Sequence, residues 1–289
     1  MKKLLITGSN GFVGSYFIHK YKDKYDIKTF SFLKDDFEAL HVKDVDVVLH
    51  LSALVHQMAG ASKEEYERVN VTQTLELAKK AKESGVKQFV FMSTIKVCGE
   101  ESDEAYTESS RCKPQDDYGK SKLKAEIELR RLEDENFKVS ILRTPIVYGC
   151  GVKANIRSLV NLVKSISLLP FDGVNNARSF VYVGNLCHLV DQLIEQKKSG
   201  IFLASDDEPL STTDLIKLIA KALGKKVYLI KIPFFKELLK LFKPSFYKRL
   251  YENLEVDNTQ TKKILNLQNP YTTQEGIMHM IKGEKFDTQ

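Results

Sequence analysis

Tyr118 and Lys122 stand four residues apart in DYGKSK, a spacing that puts a phenol and an ammonium on one face of a helix. A cation beside a phenol favours the phenolate and lowers a pKa of about 10 in water, which would make Tyr118 an acid/base near neutral pH. Tyr16 and Lys20 repeat the spacing, so the pair gains meaning only from its surroundings. MSTIKVCG supplies one such surrounding, a β-run ending in Ser93-Thr94 whose hydroxyl would leave the sheet edge for a cleft. TGSNGFVG supplies another, with Gly8, Gly11 and Gly14 between a β-run and a helix. Glycines there let the backbone turn tightly and approach a pyrophosphate held on helix N-terminal amides, which points to a dinucleotide site.

The stretch KTFSFLKDDF raises the question of which dinucleotide. A carboxylate at the end of the second strand ordinarily meets the ribose hydroxyls of NAD and repels a 2′-phosphate. Ser31 and Phe32 occupy that place, followed by Lys34, and the acids come only at Asp35 and Asp36. Ser31 and Lys34 would tolerate or attract a phosphate, while Asp35 or Asp36 could swing back.

Short β-branched runs alternate with amphipathic stretches in the first half, the pattern of βαβ units and a parallel sheet. Strands are predicted at 3–7, 27–32, 45–51, 88–93 and 139–143, and helices at 14–21, 64–84 and 118–133. About a dozen residues separate the second and third strands, room for little more than one helical turn. Further on, 155–165 reads as a helix, FVYVGNLCHLVDQLIEQ as a strand feeding a helix, and GIFLAS as a strand. TTDLIKLIAKAL follows Ser211 as a cap and stops before Gly224, and PYTTQEGI opens a last capped helix. The expected fold is α/β: a Rossmann-type doubly wound parallel sheet in residues 1–150, with a smaller α/β substrate-binding lobe in residues 151–289. The two are expected to interleave around one cleft.

The 289 residues are 43% hydrophobic and 28% charged, ordinary for a soluble globular protein, and the net charge of +6 reads as lysines spread over the surface. That spread argues against a nucleic-acid partner and suits an acidic small molecule. Leu4, Leu5 and Ile6 are the whole apolar run before Thr7-Gly8, short of the roughly 7–15 residues of an export signal. No run reaches the roughly 18 residues of a membrane span. Cys98, Cys112, Cys150 and Cys187 lack CxxC or zinc spacing, so free thiols in the cytoplasm and no metal are expected. Residues 234–251 are basic and apolar; they read as two helices packed on the C-terminal lobe and broken at Pro244, with peripheral membrane contact as the other reading.

TGSNGFVG, HLSALV, MSTIKVCG, YGKSK, RTPIVYG and RSFVYVGNL, in that order, resemble the extended short-chain dehydrogenase/reductase family of nucleotide-sugar epimerases, dehydratases and reductases. The resemblance covers nearly the whole chain. It implies a cofactor cradle at Gly8, Asn10, Gly11, Phe12, Val13 and Gly14, and dinucleotide contacts at Leu51, Ser52 and Ala53. Ser31, Lys34, Asp36 and Phe37 would meet the adenosine end, Asp36-Phe37 resembling the pair that reads the adenine amine. Thr94 would hydrogen-bond the reacting sugar oxygen, with Tyr118 as acid/base and Lys122 as its electrostatic partner. Ser93, Lys96, Asn155 and Arg178 would contact a UDP-sugar, Arg178 through its diphosphate. Asn70 would brace the site, and His50 reads as structural. The resemblance also implies a homodimer through the helix carrying Tyr118 and that at 64–84.

Departures from the family pattern are Cys150 in VYGCG, Tyr182 in place of a histidine, Gly184-Asn185 in place of Asp-Asp, and NVTQT. ALVHQM, STIKVCGE, PQDDYGKSK and GVKAN are similar to bacterial enzymes of surface-polysaccharide synthesis, some of them 4-epimerases and some 4-ketoreductases yielding UDP-N-acetylquinovosamine. Both chemistries use Thr94, Tyr118 and Lys122. The missing carboxylate favours the reductase, with NADPH slightly ahead of NADH. An NAD-dependent UDP-hexose 4-epimerase is the alternative, and an inactive dinucleotide-binding sensor a remote one. A dehydratase would carry Asp-Glu after Thr94, where Ile95-Lys96 stand.

Overall fold

The computed structural model describes residues 1–55 and 61–283; part of ALVHQM lies outside them. Five strands of the first half pair in parallel: β1 (Lys2–Thr7), β2 (Tyr25–Phe30), β3 (Val47–His50), β4 (Gln88–Thr94) and β5 (Lys138–Thr144). After β6 (Ile146–Tyr148), β7 (Leu168–Leu169) and β8 (Phe180–Tyr182), β9 (Gly200–Leu203) returns to pair with β5. The sheet order is β2-β1-β3-β4-β5-β9. This is the doubly wound Rossmann-type α/β sheet that the alternating pattern predicts. Its central strands are buried on both faces, which explains runs such as QFVFMST and KVSILRT without polar alternation. β10 (Tyr228–Leu229) pairs with β7, and β6 with β8, as two small parallel ribbons.

Helices cover both faces. α1 (Phe12–Tyr21) follows the glycine turn, and α2 (Lys63–Tyr66) begins at a capping box between Ser62 and Glu65. The single helix expected at 64–84 is interrupted. Glu67–Thr72 winds as a π-helical turn before α3 (Gln73–Glu83). α4 (Asp117–Leu132) starts where Asp116 accepts the Gly119 N–H at 2.7 Å and ends with Arg130 and Arg131 against its negative pole.

The second half adds α5 (Ala154–Ser165), α6 (Val183–Gln196) and α7 (Thr212–Ala222), the last capped by Ser211. α8 (Phe235–Phe242), α9 (Pro244–Tyr251), α10 (Thr259–Leu265) and α11 (Thr273–Lys282) follow. The main hydrophobic core runs from Leu4 and Phe17 to Leu193 and Met280, so both halves contribute to it. No helix among the described residues is long and apolar enough to cross a membrane.

As the short spacing implied, the crossover from β2 to β3 has room for no more than a single helical turn, marked by the Asp35 N–H on the Ser31 carbonyl at 2.9 Å. The rest is a loop filled by Phe32, Phe37, Leu40 and Val42 against the sheet. Another sequence expectation fails in part. The pair of helices α8 and α9 does form and breaks at Pro244, but α8 buries none of its residues. Its apolar side chains were expected to pack on the lobe.

Candidate active site

Gly8 and Gly14 bring the first turn close to its neighbours. Gly8 has φ +71, and a Cβ on it would lie 2.8 Å from the Leu51 carbonyl carbon and the Ser52 nitrogen. A Cβ on Gly14 would lie 2.4 Å from the Gly8 oxygen. No other residue fits either place without moving the backbone. Gly11 is the N-cap of α1, with Asn10 exposed beside it, so the first amides of α1 face the outside of the sheet's carboxyl end. Phe12 and Val13 turn into the core. Leu51, Ser52 and Ala53 lie half-buried across the turn, with Ser52 N–H on Thr7 Oγ1 at 3.3 Å. This is a cradle for a pyrophosphate at a helix N-terminus.

The end of β2 answers the question raised by its sequence. The strand stops at Phe30, two residues early, and the chain turns at once. Asp35 folds back, its Oδ2 accepting the Ser31 N–H at 2.7 Å. A carboxylate therefore stands at the strand end although sequence order put Ser31 there. Asp36 Oδ1 accepts the Glu38 N–H at 3.0 Å, and Phe37 stacks on Phe32. Lys34 is exposed in the turn. Glycine cradle and strand-end carboxylate together fit NAD.

Thr94 ends β4 and caps the 3₁₀ turn Ile95–Val97, its Oγ1 accepting the Lys96 N–H at 3.3 Å. Lys96 reaches Asp116, the cap of α4, at 2.6 Å and Glu100 at 2.5 Å. That bridge sets the start of α4, and with it Tyr118, against the end of β4. Lys96, expected to contact the sugar, is held here by this ion-pair network. Ser93, also expected at the sugar, is engaged within the protein as well. It is 2% exposed and donates to Glu126 Oε1, beside the ion pair of Glu126 with Arg143 at 2.7 Å. Arg143 also donates to Cys98 and Cys112. The Ser93 hydroxyl serves this buried network.

Lys122 is buried with its Nζ 3.9 Å from the Phe91 ring centroid. Burial pulls its pKa down to about 7, against a smaller upward pull from Glu126 one turn along α4. Burial pushes the Tyr118 phenol well above its ordinary value, with Asp116 and Tyr66 adding to it. In the protein alone burial therefore acts on both groups in the direction of the neutral form. Asn70, fully buried in the π turn, holds the frame. Its amide takes the Leu54 N–H at 2.8 Å and donates to the Leu54 carbonyl and Ser121 Oγ, both at 3.0 Å. The widened turn aims this side chain between the β3 loop and α4, a use π turns commonly have. His50 bonds Thr7 at 2.8 Å and Thr74 at 2.9 Å, and burial drops its pKa to about 3, which makes it a neutral structural group.

In the second half of the chain, Arg178 is 8% exposed and its Nη1 donates to the carbonyls of Lys248 and Glu252. Burial and the neighbouring Arg249 lower its pKa to about 10. Asn155 accepts from Arg249 Nη1 at 2.8 Å. Sequence reasoning missed Arg249, which lies 71 residues beyond Arg178 in RLYENL, with no local signal to pair them. It also missed Glu126, Arg143 and Asp206. The last accepts from Tyr148 at 2.6 Å, from the Tyr182 N–H at 3.0 Å and from Asn185 at 2.8 Å. Gly184 and Asn185 now have a reason. A Cβ at 184 would strike the rings of Tyr182 and Tyr271 and the hydroxyl of Tyr16 within 2.9 Å, and Asn185 bridges Asp206 to Tyr271.

Fold, glycine cradle and hydroxyl–phenol–ammonium set define a dinucleotide-dependent enzyme. Residues 4–203 match the model of the NAD dependent epimerase/dehydratase family, and the chain belongs to that family. It is 38% identical to a UDP-glucose 4-epimerase of Vibrio cholerae, over 96% of this chain and 93% of that one. Among solved structures, it superimposes with TM-score 0.77 on a UDP-glucuronic acid 4-epimerase from Bacillus cereus in complex with NAD, at 20% identity over 97% of each chain. A dTDP-4-dehydrorhamnose reductase from Clostridium acetobutylicum matches with TM-score 0.79 at 21% identity, covering 97% of this chain and 98% of that one. Epimerase and reductase share this backbone, so the fold alone does not choose between them.

Proposed function

We propose that the protein is a 4-epimerase of a UDP-linked hexose that keeps one NAD through each turnover. The observation that carries the choice is Asp35, whose carboxylate on the Ser31 N–H supplies at the end of β2 the charge that disfavours a 2′-phosphate. It removes the ground for preferring NADPH and the reductase, and the similarity to the Vibrio cholerae 4-epimerase supports the same reading. Gly8, Gly11 and Gly14 would hold the pyrophosphate, Asp35 the ribose and Lys122 the nicotinamide ribose. When bound, oxidised NAD supplies a hydride acceptor and a positive charge.

Thr94 donates to the sugar oxygen at C4, and Tyr118 takes that hydroxyl's proton and later returns it. Because burial holds the phenol proton tightly, Tyr118 is a poor base until positive charge enters the pocket. Chemistry is thereby tied to a loaded site. Arg178, with Arg249 and Asn155 beside it, would bind the diphosphate, a task suited to guanidinium groups. Pairing of two copies through α3 and α4, where Ile127 is exposed, and a cytoplasmic role in surface-polysaccharide synthesis belong to the same reading.

The test is incubation with UDP-GlcNAc or UDP-glucose and no added reductant, followed by proton NMR of the sugar. A C4 epimer supports the reading. Stoichiometric NADPH oxidation by UDP-2-acetamido-2,6-dideoxy-4-hexulose, with no epimer formed from either hexose, would replace it with a 4-ketoreductase.

A further inference from the structure

Helix α8 shows its hydrophobic side to water. Phe234, Leu238, Leu241 and Phe242 are between 52% and 76% exposed, and their i, i+4, i+7, i+8 spacing aligns them in one row. Ile232 and Phe246 extend the exposed apolar surface at either end. Only the neighbouring row, Phe235 and Leu239, leans inward, with Phe235 against Phe171 at 6.0 Å between ring centroids. Lys236, Lys240 and Lys243 repeat the helical spacing on the opposite side. Their ammonium groups lie 5.3–5.8 Å from the ring centroids of Tyr247, Tyr251 and Phe246 in α9.

Charge is concentrated in the same place. Residues 231–251 hold six Lys and Arg against one Glu, and the rest of the chain holds 38 against 37 acids. Nearly all of the net charge of +6 therefore sits on this segment, where the sequence had suggested an even spread. Arg249 turns to Asn155; Lys231, Lys236, Lys240, Lys243 and Lys248 make up the remainder.

We propose that this face docks on the surface of an anionic lipid bilayer. α8 lies in the interfacial plane, its Phe234–Leu238–Leu241–Phe242 row in the acyl boundary and its lysines among the headgroups. An apolar row opposed by lysines is the arrangement of an interfacial helix. Lysine stems are long enough to cover apolar surface while the ammonium meets a phosphate. A ridge of flexible side chains that buries nothing of its own suits a fluid surface, and the local excess of cations selects negative headgroups. The α9 carbonyls that hold Arg178 would then bring the substrate side of the cleft close to the membrane.

The experiment is flotation of the full-length protein with vesicles of phosphatidylcholine alone and of phosphatidylcholine and phosphatidylglycerol in equal parts, at low and high salt. Binding to the anionic vesicles, weakened by salt and at least about tenfold lower in the Leu241→Glu/Phe242→Glu double variant, is the expected result. Turnover of soluble substrate and the melting temperature should be unchanged in that variant. No flotation at low salt, equal binding to both vesicles, or full binding by the double variant would each overturn the proposal. Loss of a solution dimer in the double variant, without vesicle binding by the parent, would assign the face to a second copy and overturn it too.

Discussion

The cofactor-side and substrate-side residues are held in place by different means. On the cofactor side several features rest on contacts within four residues, Gly8 to Gly11, Ser31 to Asp35, Thr94 to Lys96 and Asp116 to Gly119. A few longer reaches tie them together, Lys96 to Asp116 over 20 residues and Asn70 to Ser121 over 51. On the substrate side the partners are remote. Arg178 rests on carbonyls 70 and 74 residues away, Asn155 on Arg249 at 94, and Asp206 gathers Tyr148, Tyr182 and Asn185 from 58, 24 and 21 residues away. Local positioning makes a module that keeps its geometry when the rest of the chain changes. Remote positioning makes a surface that can be retuned for another sugar, at the cost of coupling each contact to overall stability.

Substitutions can break or sharpen that contrast. Tyr118→Phe should lower kcat by about 10²–10⁴-fold while NAD binding, measured by fluorescence quenching, stays within twofold; unaltered turnover would remove Tyr118 from the chemistry. Arg143→Met strips the partner from buried Glu126 and should cost about 3–5 kcal/mol in urea unfolding. A loss below about 1 kcal/mol would show that the buried network is not what fastens α4 to the sheet. Arg178→Ala removes bonds to α9 and the proposed diphosphate contact together. It should raise KM for the UDP-sugar by about 1.5–3 kcal/mol equivalents and also speed amide exchange in α9. A KM effect with α9 unchanged would mean that the remote contacts are not coupled.

Lys122 gives a pH signature. Its pKa is about 7 in the folded chain against an ordinary 10.5, so between those values the unfolded chain binds the extra proton and stability rises with pH. The slope, at most about 1.4 kcal/mol per pH unit, should be smaller in Lys122→Met when both are unfolded in urea across pH 7–10. Asp35→Asn should be gentlest, shifting the NAD-to-NADP affinity ratio about fivefold without changing stability. A stability loss there would show that the turn, too, depends on distant parts of the chain.

What could be read from sequence follows the same division. The parallel sheet, the glycine cradle and the caps at Ser211 and Thr272 rest on hydrophobic periodicity or on contacts within four residues, and periodicity and spacing reveal such things. Asp35 was a near miss. The strand ended two residues early, and a turn then returned the carboxylate to the place that sequence order had given to Ser31. Glu126, Arg249 and Asp206 escaped because their partners lie 33, 94 and up to 58 residues away. The ionisation of the phenol and ammonium was not legible for another reason. Spacing shows that they share a helix face, but only packing shows how much water each has lost.

The strand β9 has a consequence for how the chain comes into being. It pairs along β5 but lies at Gly200–Leu203, so five strands leave the ribosome before the sixth exists. At synthesis rates of about 5–20 residues per second, the outer edge of β5 waits for several seconds with its amides and carbonyls unpaired. Ribosome-bound chains that stop short of residue 200 should therefore be the species that chaperones hold and that aggregate when released. Once β9 pairs with β5 the edge moves outward to a four-residue strand, one of whose amides, that of Leu203, is taken by the Thr261 hydroxyl of α10 at 2.9 Å.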